Sequence, residues 1–136
     1  MEIFFLSLSL PWFLLIVERF FPYPYIVEEI VKLAVVIFIL KQKEEKKNQW
    51  EFFLILVFAI GFSLSEAILY LNVILTISDL SLFFVRLFFT GILHLLTTAI
   101  IYLFGKSFSF WGLIFGLLMA MVVHYCYNWL IGVYFL

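Results

Sequence analysis

Charge is scarce in this chain. Its 136 residues include eight lysines and arginines and nine aspartates and glutamates, a formal net charge of −1. Without a basic surplus there is no electrostatic footprint for nucleic acid, and that partner class drops out. Cysteine is all but missing. The single thiol, Cys126, has no internal disulfide partner and no paired spacing for a metal site, so it is expected to be a small buried hydrophobe. The N-terminal stretch MEIFFLSLSLPWFLLIVERFF lacks the basic start and the small-x-small cleavage site of a signal peptide, and is read as a retained first span. No HExxH, Gly-x-Ser-x-Gly or glycine-rich phosphate loop occurs, which removes the common soluble hydrolase and nucleotide-binding signatures. Internal repeats and low-complexity tracts are also missing.

What fills the chain instead is apolar. Hydrophobic residues make up 67% of it and aromatics 22%, where a soluble domain has nearer half apolar. The chain is therefore read as a single integral-membrane domain, residues 1–136. A spanning helix needs about 20 mostly apolar residues, and five segments qualify: 3–21, 23–40, 51–74, 82–104 and 107–134. The fold class is all-α, a polytopic membrane helix bundle, because an open sheet edge in lipid would leave backbone groups unpaired. Pro11 is placed to kink the first helix, and Pro22 and Pro24 mark the turn into the second, where proline suits a helix start. The water-soluble piece is the charged loop 41–50, KQKEEKKNQW. Its four lysines, with Lys106 in the last connection, outweigh Arg19 on the other side. By the positive-inside rule the loop and the N-terminus are cytoplasmic, in a multi-pass protein of the cell membrane.

Against that background a few ionisable residues stand inside the spans. Glu28, Glu29 and Lys32 precede an apolar run, Leu33–Leu40, that is too short to cross a bilayer alone, so the second span carries them in with it. Glu66 lies mid-span in the third helix, at a cost of roughly 2.5–3.5 kcal/mol on insertion scales. Ala59, Ser63, Glu66 and Tyr70 share one helix face. Arg86, Thr90, His94 and Thr98 recur every four residues in the fourth helix, as do Gly112, Gly116, Ala120, His124, Asn128 and Gly132 in the fifth. Small residues at that interval let membrane helices approach closely, so the packing face of the fifth helix also carries His124 and Asn128. Counted at 1.5 Å per residue, the ionisable groups of four helices lie at matching depths, and one shared polar pocket is expected.

Carboxylate and imidazole together suit a borderline metal such as zinc. A catalytic zinc keeps three protein ligands and one open position, and Glu66, His94 and His124 supply a His₂Glu set. The Glu28–Glu29 pair is left for a general base acting on activated water. Neighbours on a helix diverge by about 100°, so one glutamate pairs with Lys32 while the other faces the pocket. Glu28 is taken as the base, and Asn128 as a donor to the developing oxyanion.

These residues also carry a family resemblance. EEIVK at 28–32 reads as EExxK and FSLSE at 62–66 as FxxxE. His94 is followed by Thr98, and HYCYN at 124–128 reads as HxxxN. In this order, on successive apolar helices, the motifs resemble those of the PrsW-type intramembrane metalloproteases, distant relatives of the CAAX-protease and bacteriocin-processing family. Arg86, eight residues before His94, fits as well, while Ala67 stands where many relatives have asparagine. The resemblance spans residues 28–128. It implies a zinc-dependent peptidase that cuts membrane-anchored proteins or peptides. Catalytic or ligand roles fall on Glu28, Glu29, Glu66, His94 and His124, with Asn128, Lys32, Arg86 and Thr98 in support.

Two other classes compete with a peptidase. Ionisable side chains in a bundle also build proton relays, although the inverted repeat common in transporters is missing. A non-enzymatic scaffold would draw on the Gly112–Gly116 pair. A metal-free mechanism, with glutamate and histidine activating water directly, is a variant of the first reading.

Overall fold

The computed structural model describes residues 2–41, 47–77 and 80–134. The described elements are all helical: α1 (Glu2–Glu18), α2 (Pro24–Lys41), α3 (Lys47–Ile77) and α4 (Leu80–Tyr134). Lys43 and Asp79, informative positions for membrane orientation, lie outside the described residues.

α4 holds 55 residues, which as a straight rod would reach about 80 Å, far beyond the roughly 30 Å hydrocarbon core. It doubles back instead. A Cβ added at Gly116 would sit 3.0 Å from the Ile101 Cα, and the Phe104 and Phe115 rings are 5.0 Å apart. Gly116 is glycine because backbone meets backbone there. The two arms, Phe83–Ser107 and Phe110–Ile131, are each long and apolar enough to cross a membrane, as is Gln49–Leu71 of α3. The expected fourth and fifth helices are thus present, but the helical conformation runs up to the reversal from both sides with no loop between.

The second departure is at the start of α3. Helix begins at Lys47 rather than at residue 51, and Glu51, the first residue of the expected third span, is buried at 3% exposure. The cause is tertiary. The Tyr102 hydroxyl donates to Glu51 Oε2 at 3.1 Å, and Lys106 Nζ donates to the same oxygen at 2.9 Å.

α1 has 17 residues, and α2 carries Glu28, Glu29, Lys32 and Lys41. Both lean on the long apolar helices. α1 packs on α3 through small residues: a Cβ at Gly61 would run into the Ser7 hydroxyl, and Ser65 Oγ donates to the Leu8 carbonyl at 2.6 Å. α2 begins on Pro24, whose missing N–H would be unpaired in a first turn anyway. The core below the polar residues gathers Val35, Val36 and Ile39 of α2, Ile55, Phe58 and Phe62 of α3, and Ile101 and Ala120 of α4. The outer faces carry large exposed apolar side chains such as Phe13, Phe88, Trp111 and Trp129, as a lipid-facing surface requires. Cys126 is among the exposed residues. The expectation that it is buried fails because it points away from the face that carries Ala120 and His124.

Candidate metal centre and active site

Each helix brings its polar residues inward for a local reason. On α2, Glu28 is one position before Glu29, so the two side chains leave the helix about 100° apart. The buried aliphatic face of Val35, Val36 and Ile39 fixes the rotation of α2, and Glu29 falls on the fully buried side with Lys32. Lys32 Nζ lies 2.6 Å from Glu29 Oε1 and donates to Thr97 Oγ1 of α4 at 3.0 Å. The ammonium also stands 5.6 Å from the centre of the Phe62 ring.

Glu29 reaches further. His124 Nδ1 sits 2.7 Å from Glu29 Oε1, while His124 Nε2 is 3.9 Å from Glu28 Oε2. A buried chain therefore runs from Thr97 through Lys32 and Glu29 to His124. A carboxylate holding one ring nitrogen fixes the tautomer and aims the other. Here the aimed nitrogen faces Glu28.

Glu28 belongs to a second group. One ligand atom each from Glu28, Glu66 and His94 lie within 4.8 Å of one another, and this is the one such trio of acid and histidine groups found among the described residues. His94 Nε2 is 2.5 Å from Glu66 Oε2, and Arg86 approaches Glu66 Oε1 at 3.8 Å. Arg86 is itself held over the Tyr70 ring at 3.5 Å. The His94 and His124 rings lie 6.0 Å apart, edge to face. The two groups are adjacent parts of one cluster, with Glu28 shared between them.

The grouping differs from the His₂Glu set expected from composition. Glu28 joins Glu66 and His94 in the trio, while His124 turns Nδ1 to Glu29 and Nε2 toward Glu28 at its edge. Thr98 Oγ1 donates to the His94 carbonyl of its own helix at 2.6 Å, which braces the backbone under the ring. Asn128 is exposed, one turn beyond the buried part of its stripe. Thr97 was not anticipated. Its only sequence signal was position, three residues after His94 on the same face. Glu18 was also missed, as a lone acid at the end of α1. It lines a cavity of about 200 Å³ together with Glu28 and Glu66.

The residues present fit a divalent cation. Glu28 Oε2, Glu29 Oε2 and His94 Nδ1 are buried without a hydrogen-bond partner. Buried polar atoms rarely stay unpaired in a native fold unless something else meets them. Three carboxylates share two fixed cations, Lys32 and Arg86. Oxygen and imidazole donors together are the set for a borderline metal.

Comparison with known proteins agrees with this chemistry. A family model described as PrsW family intramembrane metalloprotease matches residues 9–135, nearly the whole chain. No curated protein and no solved structure matches. The described helices and the polar cluster thus sit in a chain that belongs to the PrsW family of intramembrane metalloproteases, and the protein is a membrane peptidase.

Proposed function

We propose that the chain hydrolyses a peptide bond of a membrane-anchored protein or peptide, with Glu28, Glu66 and His94 holding a divalent metal, most simply zinc, and the Glu29–His124 pair moving the proton. The observation that carries this is the division of the cluster: three donors within 4.8 Å of one another, beside a histidine already claimed by a second carboxylate. A metal held by those three residues supplies Lewis acidity, polarising the scissile carbonyl and favouring attack by water.

The other steps fall to the protein. Glu29 accepts a hydrogen bond from the Nδ1–H of His124, which leaves Nε2 as the basic nitrogen. As water attacks the carbonyl carbon, Nε2 takes its proton. The same proton then goes to the amide nitrogen as the C–N bond breaks, giving a carboxylic acid and an amine. Lys32 holds Glu29 in place. Arg86 steadies Glu66 from the opposite side. α1 and α2 enter the bilayer with the three apolar spans, and the lysine-rich loop is cytoplasmic. Cysteine labelling at positions 43 and 79 tests that orientation: reagent reaching 43 from outside reverses it.

Elemental analysis of purified variants tests the ligand set. Glu28→Gln, Glu66→Gln and His94→Ala are expected to lose bound metal, while His124→Gln keeps it and loses cleavage. Metal lost from His124→Gln but kept by Glu28→Gln would restore Glu28 as the base and His124 as a ligand. A second reading rests on the 2.5 Å contact between His94 and Glu66. That pair can polarise water without a metal, and cleavage undiminished by chelation would select it.

A further inference from the structure

A cavity of about 200 Å³ between α1, α2 and α3 adjoins the cluster, with Glu28 and Glu66 in its lining. In bulk liquid that volume would hold roughly six or seven waters, which suits one long side chain better than a folded segment. Its wall is mainly apolar, with Leu15 from α1 and Phe62 and Leu69 from α3. Three carboxylates reach it, those of Glu18, Glu28 and Glu66, and among the described residues no lysine, arginine or histidine lines it.

Two of the three carboxylates have other work. Glu66 meets His94 and Arg86, and Glu28 belongs to the three-donor group. Glu18 has neither role. Among the described residues its carboxylate makes no hydrogen bond or ion pair, although it is only half exposed. A half-buried carboxylate with nothing to bind is disfavoured by desolvation, and no packing need explains one at the last position of α1, where the helix dipole also opposes it. An apolar sleeve ending in an unpaired carboxylate is the complement of a side chain with an aliphatic stem and a cationic tip.

We infer that this cavity is a substrate subsite for a lysine or arginine side chain near the scissile bond, and that Glu18 is the residue that selects it. Glu18 touches the substrate side chain and not the reacting atoms, so it determines specificity. The inference deepens the peptidase reading and rests on it. It assigns the substrate class as membrane-anchored chains with a basic residue beside the cut, within reach of the α1–α2 turn.

The test uses the full chain in lipid nanodiscs. Its probes are labelled apolar transmembrane peptides with a single lysine walked through successive positions, and matched peptides with norleucine in its place. Binding is read by fluorescence anisotropy and cleavage by mass spectrometry. At one position lysine should bind about 10-fold more tightly than norleucine, the scale of a hydrogen bond to a charged group. Glu18→Gln should erase that difference. Glu18→Asp should keep part of it, and Glu18→Lys should favour a glutamate at the same position. A lysine preference found nowhere along the peptide, or one that survives Glu18→Gln, overturns the subsite. Lysine-dependent binding with no cleavage of any peptide would uphold the subsite and remove the peptidase reading. Cleavage without lysine dependence would do the reverse.

Discussion

Two buried polar clusters lie at opposite ends of the same helices. At one end Glu51 meets Lys106 and the Tyr102 hydroxyl, and Lys106 Nζ also donates to that hydroxyl at 2.8 Å. One carboxylate faces one cation, and Lys106 keeps 35% of its side chain in contact with the surroundings. At the other end Glu28, Glu29 and Glu66 face Lys32 and Arg86. The first cluster locks the start of α3 to α4. The second gathers three carboxylates around two cations, with a trio of donor groups drawn together. The comparison separates two reasons for burying a carboxylate in a membrane protein: a cation that belongs to the fold, and a cation that arrives from outside it.

Substitutions should pull these two ends apart. The largest expected effect is at Glu28. Glu28→Gln should cut cleavage by at least about 10³-fold, some 4 kcal/mol of barrier. In the metal-free protein its melting temperature should stay level or rise, because a buried acid with an oxygen lacking a hydrogen-bond partner has gone. A clear fall in melting temperature would show that the site charges are structural after all. Next comes Lys32→Met, which strands Glu29 in the interior and should cost about 3–5 kcal/mol of stability, as breaking a buried pair does. Loss of cleavage should accompany it, followed with thermal unfolding in the same detergent.

Glu51→Gln gives the opposite profile to Glu28→Gln. It should lower stability by about 1–3 kcal/mol, the range for losing a charged hydrogen-bond partner, and leave cleavage per folded molecule unchanged. A drop in turnover there would mean that the far cluster is coupled to the site. The smallest effect is expected at Asn128. Asn128→Ala should change cleavage by no more than a few-fold, since its side chain is exposed; a loss on the scale of an oxyanion donor, about 10²-fold or more, would require the end of α4 to turn inward when substrate binds.

Much of this was legible in the sequence, because the bilayer leaves few solutions. Long apolar runs had to be helices, and ionisable residues within them had to face one another. The spacing of Thr90, His94 and Thr98, and of Gly116, Ala120 and His124, marked the inward faces, and these residues are buried or line the helix contacts. Their partners were not legible. Sequence shows that Glu28 and Glu29 diverge. It does not show which one meets His124, because the rotation of α2 is set by how Val35, Val36 and Ile39 seat against α3 and α4. The partners of Glu51 were hidden for a related reason: it stands at the first position of the third span, beside a lysine-rich loop, and Tyr102 and Lys106, more than fifty residues later in the chain, meet it inside.

The reversal in α4 acts as a ruler. His94 stands fifteen residues before position 109 and His124 fifteen after it. On two antiparallel arms joined without a loop, residues equidistant from the bend share one height, whatever the neighbouring helices do. The level of the two imidazoles is therefore written as a count along the chain. Adding a single residue to either arm would lift one ring by about 1.5 Å and swing it through about 100°, while adding one to each arm would keep the heights matched and rotate both rings away from the glutamates.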